Sequence, residues 1–197
     1  PMKSILGLDI GSHSIKLIEI GSSGEQRHLL AAGSIPTPPK ALQSSLDADH
    51  QAIAMAIRQL MKETGAKSSS VAFALPESQV FTRVIEVPAL SQRELSSAIG
   101  WEAEQYIPLP LDQVNLDYSV LRDAKETGTD KMDVLLVASP KTLLEKYLSI
   151  IEAAELIPVA AETEIIATAR ALSRSVASIK NAALLVSPGA QTTDLAI

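Results

Sequence analysis

Residues 6–20, LGLDIGSHSIKLIEI, decide how the rest of the chain is read. Runs of strand length, apolar or alternating, flank Gly11-Ser12-His13, which is turn chemistry, so the stretch predicts a hairpin with a carboxylate, Asp9, near the end of its first strand. Such a hairpin leaves backbone N–H groups unpaired at its tip, and small residues let a polyanion come close to them. Asp9 has the chemistry to hold a hydrated Mg²⁺, an ion that keeps several waters and takes only one or two carboxylates beside phosphate oxygens. Lys16, on the returning strand, can meet a phosphate as a point charge. Asp and Gly also favour turns for local reasons, so from this turn alone an ordinary β-turn is a better reading than a phosphate cradle.

The last residues of the chain repeat the design. Ala182–Val186 reads as a strand, Ser187 to Thr193 (SPGAQTT) as a glycine turn with hydroxyl residues, and Asp194–Ile197 as the start of a second strand. Two related turns about 180 residues apart favour a clamp on a nucleotide over two unrelated turns. An isolated hairpin is marginal in water, so a further domain is expected after Ile197.

Between the turns, Ser4–Asp9, Ser14–Ile20 and His28–Ser34 predict a three-stranded antiparallel meander, and Ile35–Pro39 predicts a loop that cannot continue the sheet. Asp47 and Asp49 are candidate N-caps of a helix whose Ile53, Ile57 and Leu60 share one face, Gly65 is its stop, and Val71–Leu75 is a short buried strand. Val80–Val87 then reads as a strand. Ser91 and Glu94 have capping-box spacing for a helix to about Tyr106. Val114–Leu121 and Met132–Ser139 are strands around a solvated loop, Lys141–Ala154 is a helix with Leu144, Leu148 and Ile151 on one face, Leu156–Ala161 a strand and Thr163–Leu172 a helix. Pro1 ahead of Met2 reads as a tag remnant.

Composition narrows the function. An apolar fraction of 46% against 20% charged belongs to a folded chain. A net charge of −6, with the basic residues scattered, argues against nucleic acid. Without cysteine there are no disulfides, thiolate metal sites or thiol nucleophiles. No apolar run reaches the roughly 20 residues of a membrane span, so no direct membrane insertion is expected and any membrane role runs through a partner.

At this point the chain resembles the actin/Hsp70/sugar-kinase superfamily and, within its FtsA-like branch, the actin-like proteins of type IV pilus assembly. The resemblance rests on LGLDIGSHSIKLIEI, on FTRVIEVPAL (81–90), on WEAEQYIPLPLDQVNLDY (101–118) and on VASPKTLLEKYLSIIEAAELIP (137–158). It implies an α/β chain of the actin-like (ribonuclease H-like) class: subdomain 1A at residues 2–80 plus 155–180, an inserted FtsA-type subdomain 1C at 81–154, and the start of subdomain 2A at 181–197. It assigns Asp9, Gly11, Ser12, His13, Ser14 and Lys16 to a first phosphate loop and Gly189, Ala190, Gln191, Thr192 and Thr193 to a second. ATP and Mg²⁺ are the implied cofactors, with Asp9 toward the metal. Glu164, or else Glu162, stands where related proteins orient the attacking water. The family pattern puts an aspartate and an aliphatic residue before the second Gly-Ala. Here Ser187-Pro188 stands there, so slow or absent hydrolysis is expected.

The resemblance also implies a partner, the N-terminal cytoplasmic peptide of the bitopic inner-membrane protein PilN, held in a groove between 1A and 1C, with Val80–Val87 and the neighbouring helix as candidate walls. The implied location is cytoplasmic, peripheral to the inner-membrane pilus platform, with self-association left open. A division adaptor of the FtsA type and a small-molecule kinase are the alternatives. Trp101, Glu102, Glu104 and Tyr106 read as a solvated helix face with an aromatic packing anchor. His13, His28 and His50 lack metal-ligand spacing, and His13 is expected to contribute a backbone N–H.

Overall fold

The computed structural model describes residues 3–24, 26–176 and 182–197; Pro1, Met2 and the expected 180/181 boundary lie outside the described residues. The chain starts with the expected meander, β1 (Lys3–Ile10), β2 (Ser14–Ser23) and β3 (Gln26–Pro36), paired antiparallel in sequence order. Leu6, Leu8, Ile10, Ile15 and Leu17 are buried on one face, which leaves the alternate residues Gly7, Asp9, Lys16 and Ile18 on the other. Contrary to expectation, β3 continues through Ile35 to Pro36, where Pro36 pairs with Ser14. Proline is tolerated because it ends an edge strand.

α1 (Asp47–Thr64) packs against β2 and β3 and buries Ile53, Ile57 and Leu60. The helix comes closest at Gly33, where a Cβ would stand 2.5 Å from Thr64 Cγ2 and 3.1 Å from Leu60 Cδ1. Asp47 and Asp49 are not its caps. The N-cap is Leu46, without a side-chain hydrogen bond, and the two carboxylates sit inside the first turn, where they favour the helix dipole. Gly65 ends the helix in the left-handed region at φ 74°. β4 (Ser70–Leu75) then runs parallel to β1, with Leu8 opposite Phe73.

The next segment builds a separate sheet. β5 (Phe81–Pro88), α2 (Gln92–Glu104), β6 (Val114–Arg122), α3 (Ala124–Thr127) and β7 (Lys131–Pro140) follow in order, with the strands arranged antiparallel as β5-β7-β6. Ile85, Val87, Val134 and Leu136 close with Leu95 and Ile99 of α2 into one core. The predicted capping box is present: the Ser91 N–H donates to Glu94 Oε2 at 2.8 Å, and the Ser91 hydroxyl accepts from the Glu94 N–H. Hydrogen bonds from the Ser91 hydroxyl and backbone hold the Glu94 carboxyl below its ordinary range. The loop expected as bare contains α3, capped by Asp123 and Glu126 in the same reciprocal way. Trp101 is not a packing anchor: it is 77% exposed, and Tyr106 packs on the core instead, with the Arg83 guanidinium 4.7 Å from its ring centroid.

α4 (Lys141–Ala153), β8 (Ile157–Thr163), α5 (Glu164–Val176), β9 (Leu185–Pro188) and β10 (Thr193–Ala196) complete the chain. The chain divides into two compact units, one of residues 1–76 with 145–197 and one of residues 77–144. Most of α4 therefore belongs to the first unit and not to the inserted block. Its buried face is Leu143, Tyr147, Ile150 and Ile151: Ile151 is buried as expected, while Leu144 and Leu148 are half-buried and Leu143 and Tyr147, one position before each, are buried instead. Tyr147 stacks on Phe73 of β4, with ring centroids 6.1 Å apart and an interplanar angle of 15°. Arg58 and Lys146 tie α1 and α4 to neighbouring backbone, donating to the carbonyls of Ala153 and Leu42. β8 adds parallel to β4 and gives a five-stranded sheet of order β3-β2-β1-β4-β8, while β9 and β10 form a two-stranded hairpin.

Candidate functional site

The first turn is built by the last pair of the β1–β2 ladder. Ile10 lies opposite Ile15, and the Gly11 N–H donates across the turn to the Ser14 carbonyl at 3.1 Å. A Cβ on Gly11 would stand 3.0 Å from that carbonyl, which explains the glycine without any unusual backbone angle. The tip, Ser12 and His13, is exposed. Thr37, just past β3, braces it from below: its N–H donates to the His13 carbonyl at 3.0 Å and its hydroxyl to the Gly11 carbonyl at 2.6 Å. His13 thus contributes its carbonyl to the scaffold. Thr37 is buried and sits in the proline-rich run that sequence marked only as a loop.

Asp9 and Lys16 are direct cross-strand neighbours, and the Lys16 ammonium lies 2.8 Å from Asp9 Oδ2. The other oxygen, Asp9 Oδ1, is buried and, among the described residues, accepts no hydrogen bond. Beside the pair lies a cavity of about 280 Å³ whose walls include Gly7, Ala72, Ala74, Asp9, Lys16 and Glu162. Small side chains on three adjacent strands leave this space open above the sheet. Glu162, at the end of β8, lies 2.8 Å from the Arg170 guanidinium of α5. Glu164 is the first residue of α5, and its carbonyl accepts a hydrogen bond from the Thr168 hydroxyl at 2.9 Å.

Tyr147 joins this group without any signal in the sequence, where it is one more large residue on an amphipathic helix. Burial, and then the charges of Glu164 and Asp9, hold its phenol far above the ordinary range, so it stays neutral. Asp9, Lys16 and Glu162 therefore line one cavity, and Glu164 and Asp9 both act on a single buried hydroxyl.

The second turn has the same construction. Pro188 lies opposite Thr193, the Gly189 N–H donates to the Thr192 carbonyl at 2.7 Å, and a Cβ on Gly189 would again stand 3.0 Å from that carbonyl. Ala190, Gln191, Thr192 and Thr193 form an exposed tip. Laying one register on the other puts Ser187 in the place of Asp9 and its cross-strand partner Asp194 in the place of Lys16. The second hairpin has its carboxylate on the returning strand.

A family model described as type IV pilus assembly protein PilM matches residues 7–197. Among solved structures, the chain is similar to one in a PilM-PilN type IV pilus biogenesis complex, at 32% identity and a TM-score of 0.86 over 99% of this chain. The match covers 58% of the length of that PilM-PilN chain. The chain is also similar to the cytoplasmic domain of EpsL, an inner-membrane component of the type II secretion system of Vibrio cholerae, at 14% identity and a TM-score of 0.55 over 98% of this chain and 71% of that one. At 14% identity the likeness is one of fold. A β1–β2–β3 meander, a parallel extension through β4 and β8 and a second glycine hairpin thus make up an α/β architecture, and the chain belongs to the PilM family of type IV pilus assembly proteins.

Proposed function

We propose that this chain supplies half of a nucleotide site and a docking surface for the cytoplasmic peptide of PilN, and so serves as an adaptor at the inner-membrane platform of the type IV pilus. The observation that carries the nucleotide reading is the repeated turn. Two glycine N–H groups bond to the carbonyl three residues on, at 3.1 and 2.7 Å, beneath exposed polar tips that each carry a hydroxyl residue. In both, a side chain on the glycine would crowd the carbonyl that closes the turn. Backbone N–H groups exposed at such tips suit phosphate oxygens.

The residues present fit a Mg²⁺-nucleotide. Asp9 Oδ1 is a buried acceptor in want of a donor, as a metal-bound water would be, while Oδ2 keeps Lys16 beside the loop. Bound there, Mg²⁺ would neutralise phosphate charge. With the ion bound, Asp9 would orient its waters and Lys16 would balance the carboxylate, while Glu164 at the head of α5 would position water and Glu162 is paired with Arg170. Ser187 offers no charge at the second turn, which supports binding with slow or absent hydrolysis in the full-length protein and weak binding to this chain alone.

The partner reading is supported by the similarity to a chain in a PilM-PilN complex over nearly all of this chain. No helix among the described residues is long and apolar enough to cross a membrane, in keeping with recruitment through a membrane-anchored protein. Calorimetric titration tests both halves: the N-terminal cytoplasmic peptide of PilN from the same genome, and ATP with Mg²⁺, each added to this chain and to a full-length PilM. Peptide binding to both, with nucleotide binding strongest in the full-length protein and weakened by Asp9→Asn, is expected. A full-length protein that ignores the peptide overturns the adaptor reading, and one whose ATP affinity is the same after Asp9→Asn overturns the site.

A further inference from the structure

The 77–144 unit holds eleven acidic and six basic residues, a net −5 of the chain's −6. Four of its six cations are already engaged within the unit. Arg83 lies over Tyr106, Arg122 pairs with Asp133, Lys131 with Glu86, and the Lys141 ammonium donates to the Asp112 carbonyl. Among the described residues, Glu102 and Glu104 of α2 have no ion pair. Immediately before Glu102 and three residues before Glu104 stands Trp101, 77% exposed. Its helix neighbours one turn back are Ser97 and Ala98, small residues that leave the indole bare, and the neighbour three residues on is Glu104.

An exposed indole next to an uncompensated carboxylate is what a guanidinium seeks. The ring face takes the cation and the carboxylate takes its N–H groups. The unit shows the pairing in miniature where Arg83 covers Tyr106. An anionic leaflet would repel a unit of net −5, which disfavours reading Trp101 as a membrane foot. Cytoplasmic segments next to transmembrane helices, by contrast, are enriched in Lys and Arg.

We propose that Trp101 and Glu104 form a docking point for an arginine-bearing, basic juxtamembrane segment of a membrane-anchored protein partner. This deepens the adaptor reading and rests on it for the partner's membrane anchorage. It assigns α2 a second foothold, distinct from any pocket for apolar anchors, whose strength falls with ionic strength.

Trp101 is the chain's one tryptophan, so its fluorescence reports on this point directly. The probes are the cytoplasmic segment of PilN synthesised up to its membrane boundary, the same peptide with every Lys and Arg changed to Gln, an Arg-rich nonapeptide, and phosphatidylcholine vesicles containing phosphatidylglycerol. The native peptide should shift and quench the emission at low salt and the Gln version should not. By calorimetry, Trp101→Ala and Glu104→Gln should each weaken the native peptide about tenfold. Equal affinity of both variants and the parent overturns the proposal, as does an emission shift with vesicles and not with peptides. If the PilN peptide does not bind the parent chain, the adaptor reading fails and the nonapeptide decides the docking point: a shift that Glu104→Gln abolishes upholds it, and no shift overturns it.

Discussion

The two glycine hairpins share a turn and differ in everything around it. The first is part of a five-stranded sheet, braced by Thr37, backed by Tyr147 and charged with an Asp9–Lys16 pair; the second is two short strands with Ser187 facing Asp194. The shared part is a glycine whose N–H closes the turn on the carbonyl three residues on and which leaves no room for a side chain, the backbone that the proposed phosphate site asks for. The different part is what charge control asks, and only the first hairpin has it in this chain. On the proposed nucleotide reading, the repeat separates a cradle from the machinery that would make the cradle reactive.

The largest expected effect tests the backing of the first hairpin. The folded state holds the Tyr147 phenol above the ordinary tyrosine value of 10.0 through burial and the charges of Glu164 and Asp9, so that stabilisation is present below pH 10. Above pH 10 the unfolded chain releases the proton and the folded chain does not, and stability falls as pH rises. Alkaline titration by tyrosine absorbance should show Tyr147 ionising only with cooperative unfolding. Tyr147→Phe should flatten that stability loss. Reversible ionisation in the folded chain of the tyrosine that Tyr147→Phe removes would break the account.

Next come the glycines. Gly11→Ala forces a methyl to 3.0 Å from the Ser14 carbonyl inside a packed sheet and should cost about 2 kcal/mol in urea denaturation. Gly189→Ala makes the same contact in an exposed hairpin and should cost about half as much on the same scale. Equal losses would mean that the surroundings do not matter. Thr37→Val keeps the shape of the brace and removes its hydroxyl, leaving the Gly11 carbonyl without that 2.6 Å bond, and about 1–2 kcal/mol should be lost by the same measurement.

The smallest effects concern charge. Ser187→Asp places two carboxylates opposite each other and should destabilise the second hairpin by about 0.5 kcal/mol. In a full-length PilM the same change should raise ATP hydrolysis if charge is what the second turn lacks, which a phosphate-release assay reads. Lys16→Gln breaks an exposed pair and should change stability by less than about 0.5 kcal/mol while weakening nucleotide binding more. A loss of stability without any loss of binding would make the pair structural.

Much of this was legible in advance because its causes are local. The glycine turns, the Ser91–Glu94 capping box and the Gly65 stop depend on residues within a few positions of one another, and each stands where sequence put it. What escaped depends on distant partners. Thr37 matters because β3 returns beside β2 and brings it under Gly11. Tyr147 matters because α4 folds back on Phe73 from 74 positions away. Part of the buried face of α4 shifted by one residue for the same reason: amphipathic spacing does not say which neighbour a helix will find. Asp47 and Asp49 carried the right charge for a helix start, but the cap fell one residue earlier, on Leu46.

The insertion of one unit into the other also sets a route for folding. The parallel pairing of β4 with β8 must close a gap of about 80 residues, whereas β1, β2 and β3 pair through turns a few residues long. The inserted sheet begins and ends side by side, Phe81 opposite Ala138, so once it forms, the span left flexible shrinks to about 23 residues. Loop closure then becomes easier by about 1 kcal/mol, severalfold in rate if the closing step limits. Early formation of the insertion would act as a clasp that brings the two halves of its host together.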